Sequence, residues 1–172
     1  MFKNKFLVFI FIANSICIYG QKYSIDFINH KNGLTQSCGH TITRHNGYMW
    51  FGTQDGLNRY DGTRIKAFKV KDYPHMKSNY INAILPDSKN KLWIATTEGL
   101  SLMDTETNKF ISVNGDSIKF VKRLYKDDYG NLWVTPQNKG LYQKKNNSDI
   151  FLNISFFQND KIIDFDEYNC RI

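Results

Sequence analysis

The chain has 172 residues, 41% of them hydrophobic and 15% aromatic, with 23 Lys and Arg against 16 Asp and Glu. Such a length suits one domain, and aromatics this plentiful can fill a core, which excludes an intrinsically disordered chain. The formal charge of +7 falls to +5 without Lys3 and Lys5, and much of the excess is lysine scattered over turns; it reads as a solvated surface, not as a footprint for nucleic acid.

Residues 1–20 read as a secretory signal. Lys3 and Lys5 form a positive start, and Phe6 to Ala13 is an apolar run shorter than the roughly 20 residues of a spanning helix. Cleavage after Gly20 would leave Gln21 first, with no membrane span in the mature chain. An uncleaved anchor is the alternative, and Ile16 argues against lipidation of Cys17. The mature chain keeps Cys38 and Cys170, which fall in the first and last repeats described below and read as free thiols. Residues 21–32 follow, where Tyr23, Ile25 and Phe27 alternate with Ser24, Asp26 and Ile28 as in a strand.

Three tryptophans then recur in near-copies of one phrase, Gly47-Tyr48-Met49-Trp50-Phe51-Gly52-Thr53, Asn90-Lys91-Leu92-Trp93-Ile94-Ala95-Thr96 and Gly130-Asn131-Leu132-Trp133-Val134-Thr135-Pro136. They are spaced 43 and 40 residues apart, and Gly56-Leu57, Gly99-Leu100 and Gly140-Leu141 follow with spacings of 43 and 41. A period of about 40–45 residues is the mark of propeller blades.

In the first copy Gly39–Arg44 reads as a strand closed by Asn46-Gly47, a pair suited to a type I′ hairpin turn, whose two central positions need positive φ. Tyr48–Thr53, Leu57–Tyr60 and Arg64–Val70 complete four strands, with turns at Asp55-Gly56 and Asp61-Gly62. The second copy maps as Tyr80–Leu85, Leu92–Thr96, Leu100–Asp104 and Phe110–Val113. The third reads Phe120–Lys126, Leu132–Thr135, Leu141–Lys144 and Ile150–Ser155. Residues 159–172 read as the start of a fourth, with Ile162 to Phe165 as its inner strand. The fold class is therefore all-β, a partial propeller of about three four-stranded antiparallel blades plus the start of another. Its divisions are 33–74, 75–115, 116–158 and the truncated 159–172.

Position by position, Gly47, Asn90 and Gly130 stand three before each tryptophan and predict a left-handed backbone in all three copies. Asp87 and Asp127 stand six before, where a carboxylate can accept turn amides; Arg44 replaces them in the first copy. Gly52 becomes Ala95 and Thr135, and Pro136 predicts an early end to the second strand of the third blade.

These phrases resemble the regulator-propeller repeat of exported two-component sensors, the type placed ahead of hybrid sensor histidine kinases. The resemblance runs from about Tyr23 to Lys145, and Phe51 to Gly62 carries it best. It implies a periplasmic sensing propeller, non-enzymatic in itself, with an oligosaccharide from glycan breakdown as ligand and further propeller blades as partners. It also casts Tyr23–Ile28 as a leading strand that fastens the ring to its last blade. Kinase and receiver motifs are not found in the sequence, so the signalling chemistry is expected outside it. Three blades and a stub point to a truncated product; a homo-oligomeric ring and a fragment of an exported propeller lyase remain the alternatives.

No catalytic, cofactor or metal constellation stands out. His30, His40, His45 and His75 lack metal-ligand spacing, and Asp55, Asp61, Glu98 and Asp104 recur with the repeat, as turn and cap residues do. Trp50, Trp93 and Trp133 could stack on sugars, yet packing between neighbouring sheets explains all three at once. Gly52, Gly56, Leu57, Gly99, Leu100, Gly140 and Leu141 are the other structural repeat positions. Any ligand contacts are expected in non-repeating loops, at Lys71–Lys77 with Tyr73, His75 and Met76, or at Asn138-Lys139.

Overall fold

Asn46 and Gly47 take φ of 51° and 78°, so the chain doubles back between β1 (Gly39–His45) and β2 (Tyr48–Thr53) as the Asn-Gly pair predicts. The computed structural model describes residues 25, 27–114, 118–137 and 140–154. β3 (Gly56–Tyr60) and β4 (Ile65–Phe68) complete a four-stranded antiparallel sheet in chain order. A second sheet follows from β5 (Ile81–Ser88), β6 (Lys91–Thr96), β7 (Gly99–Asp104) and β8 (Lys109–Ile111). The third is built from β9 (Val121–Lys126), β10 (Leu132–Pro136), β11 (Tyr142–Lys144) and β12 (Phe151–Asn153). β5 lies against both β1 and β9, so the first strand of every sheet is the inner one and the sheets radiate from them as blades.

Two apolar seams hold the blades together. Trp50, Leu57 and Phe68 of the first sheet meet Ile81, Ile84, Leu92, Ile94 and Met103 of the second. On the far side of that sheet, Trp93, Ala95 and Leu100 meet Val121, Leu132 and Val134 of the third. Successive side chains of a strand point to opposite faces, which is why Leu92 and Ile94 serve one seam while Trp93 and Ala95 serve the other. β6, enclosed on both faces, is accordingly an almost unbroken apolar run.

Buried polar residues anchor the chain as it enters a blade. Thr35 N donates to Asn58 Oδ1 at 3.0 Å, and Lys77 N donates to Ser101 Oγ at 2.9 Å; Asn58 and Ser101 are both fully buried and each directly follows the Gly-Leu pair. In β2 and β6 the last threonine closes the next turn. Thr53 Oγ1 donates to Gly56 O at 3.0 Å, and Thr96 Oγ1 donates to Gly99 O at 2.8 Å.

Several expectations need correction. Ile25, Phe27 and Ile28 belong to no strand, Ile25 and Phe27 are about 80% exposed, and a 3-10 turn spans His30–Asn32; Tyr23, Ser24 and Asp26 lie outside the described residues. Asn90 is not left-handed, unlike Gly47 and Gly130. β5 runs on to Ser88, which pairs with Lys91 as His45 pairs with Tyr48, but a bulge between Pro86 and Ser88 that β1 lacks makes Asp87 the extra residue. For the same reason Asp87 does not cap the turn. It lies in the strand and pairs with Lys126 of the third blade at 3.1 Å. Asp127 does cap, accepting from the amides of Tyr129 at 3.0 Å and Asn131 at 2.8 Å. β10 ends at Pro136, with a register shift between Thr135 and Pro136. The signal segment 1–20 and the fourth blade at 159–172 lie outside the described residues.

Candidate functional site

Each inner strand carries a bulge at the same place. β1 pairs Gly39 with Thr53 and then Thr41 with Gly52, which leaves His40 as the extra residue. β5 skips Asn82 between Ile81 and Ala83, and β9 skips Lys122 between Val121 and Arg123. A bulge bends its strand and re-aims the extra side chain. His40, Asn82 and Lys122 all line an open groove across the three inner strands, about 490 Å³ in volume, within the size range of small-molecule sites, with Tyr80, Arg123 and Tyr125 on its walls.

The first two bulge residues also tie the blades together. His40 Nδ1 lies 3.2 Å from Ile81 O, and because a carbonyl only accepts, Nδ1 carries the proton. Nε2 then accepts from the Gln54 amide at 3.2 Å, and the ring packs on Tyr80 with centroids 5.0 Å apart. Asn82 Nδ2 donates to Val121 O at 2.8 Å. In both cases the acceptor is the carbonyl just before the next blade's bulge residue. Lys122, third in the series, is exposed and has no hydrogen-bond or ion-pair partner among the described residues.

Of the structural repeat positions, Trp50, Leu57, Trp93 and Leu100 sit in the seams. Trp50, Trp93, Leu57, Leu100 and Leu141 are buried, while Trp133 is half-buried. The first two tryptophans are thus packed between sheets, out of reach of a ligand. Gly52 is required by close approach, since a Cβ there would stand 2.6 Å from methyl carbons of Ile81 and Thr41. Gly56 and Gly99 have φ of 141° and 133°.

The loop at 71–77 gives Tyr73 and Met76 to packing. Tyr73 packs between Phe68 and Phe110 at 5.0 and 5.8 Å, and Met76 is buried in the first seam, leaving His75 exposed at φ 67°. Asn138 and Lys139 lie outside the described residues. His40 stands at the bulge near the start of β1 and His45 at its end, and burial lowers the pKa of His45 against a raising bond to the Lys89 backbone. Among the described residues no three His, Cys, Asp or Glu side chains converge as for a metal. Cys38 is exposed and free.

Turn carboxylates behave as caps. Asp61 Oδ1 accepts from Arg64 N at 2.7 Å and from Thr63 N and Oγ1, both at 2.8 Å, and these bonds lower its pKa to about 2. Asp104 likewise accepts from Thr107 N and Glu106 N. Asp55 instead pairs with Lys69 at 2.7 Å, and Glu98 contributes main-chain groups to its turn.

Sequence reasoning weighed His40 only as a metal ligand and passed over Asn82 and Lys122. The signal was a polar residue 10, 11 and 11 positions before the successive tryptophans. Three unrelated residue types at one place do not read as a repeat.

The two component regulator propeller family model matches residues 75–98, which take in β5, β6 and the turn after it. No match is found among curated protein sequences. The fold is similar to the extracellular domain of the hybrid two component system BT3049 from B. thetaiotaomicron, at 24% identity and TM-score 0.62, over 80% of this chain and 20% of that one. It is similar also to that of BT4673 from the same organism, at 23% identity and TM-score 0.58, over 75% and 20%. A streptogramin B lyase structure shares the fold at 14% identity and TM-score 0.52, over 70% of this chain and 41% of that one. The chain thus spans about a fifth of the two sensor domains. Its described residues form a three-blade run of β-propeller, within which residues 75–98 match the two component regulator propeller model.

Proposed function

We propose that these blades belong to a periplasmic ligand-sensing propeller of a hybrid two-component system, and that the ligand is an oligosaccharide released by glycan breakdown. The regulator-propeller match at residues 75–98 carries this reading, and the likeness to two extracellular domains of hybrid two component systems supports it. The axial groove is where the ligand would rest, because its wall is polar and aromatic whereas the seams are closed by packing. In this reading the chain binds without catalysis, and kinase and output chemistry belong to other parts of the parent sensor.

The test is to incubate the purified chain with a panel of glycan fragments and recover them. Saturable binding with every fragment returned intact is expected, together with location of the chain in the periplasmic fraction of its cells. Cleaved fragments would instead favour an exported propeller lyase, the reading to which the fold shared with streptogramin B lyase lends support.

A further inference from the structure

Going beyond the sensor reading and independent of it, we propose that a second copy of this chain docks on the two outer sheet faces. The third sheet of each copy meets the first sheet of the other, and two copies close a six-bladed ring. Both seams inside the chain follow one rule. The tryptophan face of one sheet, carrying Trp50 or Trp93, packs on a fixed set of positions in the next. In the second sheet that set is Ile84, Leu92, Ile94, Met103 and Phe110, and in the third it includes Leu124, Leu132, Val134 and Phe151.

The strand registers put the same set on the first sheet. Met49 pairs with Tyr60 and Tyr60 with Ile65, as Leu92 pairs with Met103 and Met103 with Phe110. Ile42 pairs with Phe51 as Ile84 pairs with Ile94. These five first-sheet positions therefore form a tryptophan-docking face turned away from the second sheet, where Ile42 is 59% exposed. The matching tryptophan is Trp133. It shares the far face of the third sheet with Leu152, 48% exposed, through the pairs Trp133–Gln143 and Gln143–Leu152. One molecule thus carries both halves of a seam that it already builds twice.

The polar contacts across the seams have counterparts as well. Asp87, just after Pro86, holds Lys126 of the next blade at 3.1 Å. Arg44 is exposed and pairs with Met49, as Lys126 pairs with Leu132, and so stands in the place of Lys126. Asp127 and the exposed Asp128 follow Lys126 as Asp87 follows Pro86. Acidic groups of one copy would therefore face Arg44 of the other. His40 and Asn82 donate to the carbonyls of Ile81 and Val121. Lys122 is the third bulge residue, and Gly39 O of a second copy is the next carbonyl in that series. Two copies supply six blades, within the four to eight of closed propellers, whereas three would supply nine. A head-to-tail contact of this kind forms a ring when its rotation closes.

Sedimentation equilibrium of the chain tests this with Ile42→Glu and Leu152→Glu, both at exposed positions, once circular dichroism has checked that the variants stay folded. The wild type is expected at twice its chain mass. On dilution the pair separates, and Trp133 of the single chain is then half-buried, as in the structure. Each variant alone should associate at least about tenfold more weakly, because an unpaired carboxylate would be buried in both new seams. Mixing the two variants should restore pairs, since the third sheet of the Ile42→Glu variant and the first sheet of the Leu152→Glu variant are both intact. A wild type that stays single at every concentration would overturn the proposal and leave the sensor reading standing. Pairs that survive either substitution, or a mixture that does not recover them, would overturn the head-to-tail contact. Open-ended polymers would overturn the six-bladed ring.

Discussion

Trp93 and Trp133 hold the same position in consecutive blades, yet their surroundings differ. Trp93 is 3% exposed, packed among Leu100, Val121 and Leu132, with Phe151 edge-on at 6.1 Å. Trp133 is half-buried, on the face of the third sheet turned away from the second, where no further described sheet lies. The strands around them differ too. β6 and β7 pair through six residue pairs, from Lys91 with Asp104 to Thr96 with Gly99, but β10 and β11 through three. Pro136 stands where Thr53 and Thr96 close the turn in the first two blades, and Thr135 Oγ1 is buried without a partner among the described residues. What the third blade adds is local: Trp133 Nε1 donates to Asp127 Oδ2 at 2.9 Å, where Trp50 reaches only the His45 carbonyl at 3.3 Å. One phrase thus builds three blades, and a neighbour on each side decides how firmly each is held.

The largest effects should fall in the seams. Trp50→Ala and Trp93→Ala are each expected to cost about 3–5 kcal/mol, the range for large aromatic truncations in a core, read as a lower urea midpoint at constant slope. Trp133→Ala should cost less than half as much, because less of its surface is buried. An equal cost at all three would break the comparison and show that the outer face of the third blade is covered in solution.

Gly52 sharpens the contrast from the other direction. Ala95 and Thr135 fill its position in the later blades, but Gly52→Ala would drive a methyl into Ile81 and Thr41. A loss of about 1–3 kcal/mol is expected, as for overpacked cores. Ile81→Ala should relieve part of it, so that the double variant is more stable than the two single losses add up to.

Asp127 tests the third blade's own support. Partial burial raises its pKa, but bonds from Trp133, Asn131 and Tyr129 together outweigh that and leave the carboxyl below its usual value. A lowered folded pKa means that the unfolded chain binds more protons in acid, so this stabilisation is present above the unfolded value of about 3.9 and fades as pH falls through the lower folded value. Asp127→Asn should cost about 1–2 kcal/mol at neutral pH, and its deficit against the wild type should close in acid. A deficit that stays constant with pH would sink this account. Asp87→Asn, at a half-exposed pair across the seam, should cost less than about 1 kcal/mol.

The smallest effect is at Asp61, whose cap lies wholly in the first blade's outer turn. Its carboxyl should titrate near 2 by NMR, held down by Arg64 N and Thr63. The stability it confers should be complete above about pH 4 and lost between there and pH 2. A pKa near the ordinary value would mean that this turn is not formed in solution.

The sequence by itself determined the repeat, the strand positions and most turns. Asn46-Gly47, the cap at Asp127 and the break at Pro136 were legible because turn chemistry and two-residue alternation depend on residues within a few positions of one another. The exceptions, Asn90 and Asp87, failed where β5 bulged just before its hairpin and a side chain found a partner about 40 residues away. Tertiary structure alone decided that Tyr73 and Met76 belong to a seam, that Trp133 is wetter than Trp50, and that His40, Asn82 and Lys122 meet in one groove. Those three share a place but not a chemistry. Contacts between blades depend on how separate sheets pack around an axis, and no local pattern of residues encodes that.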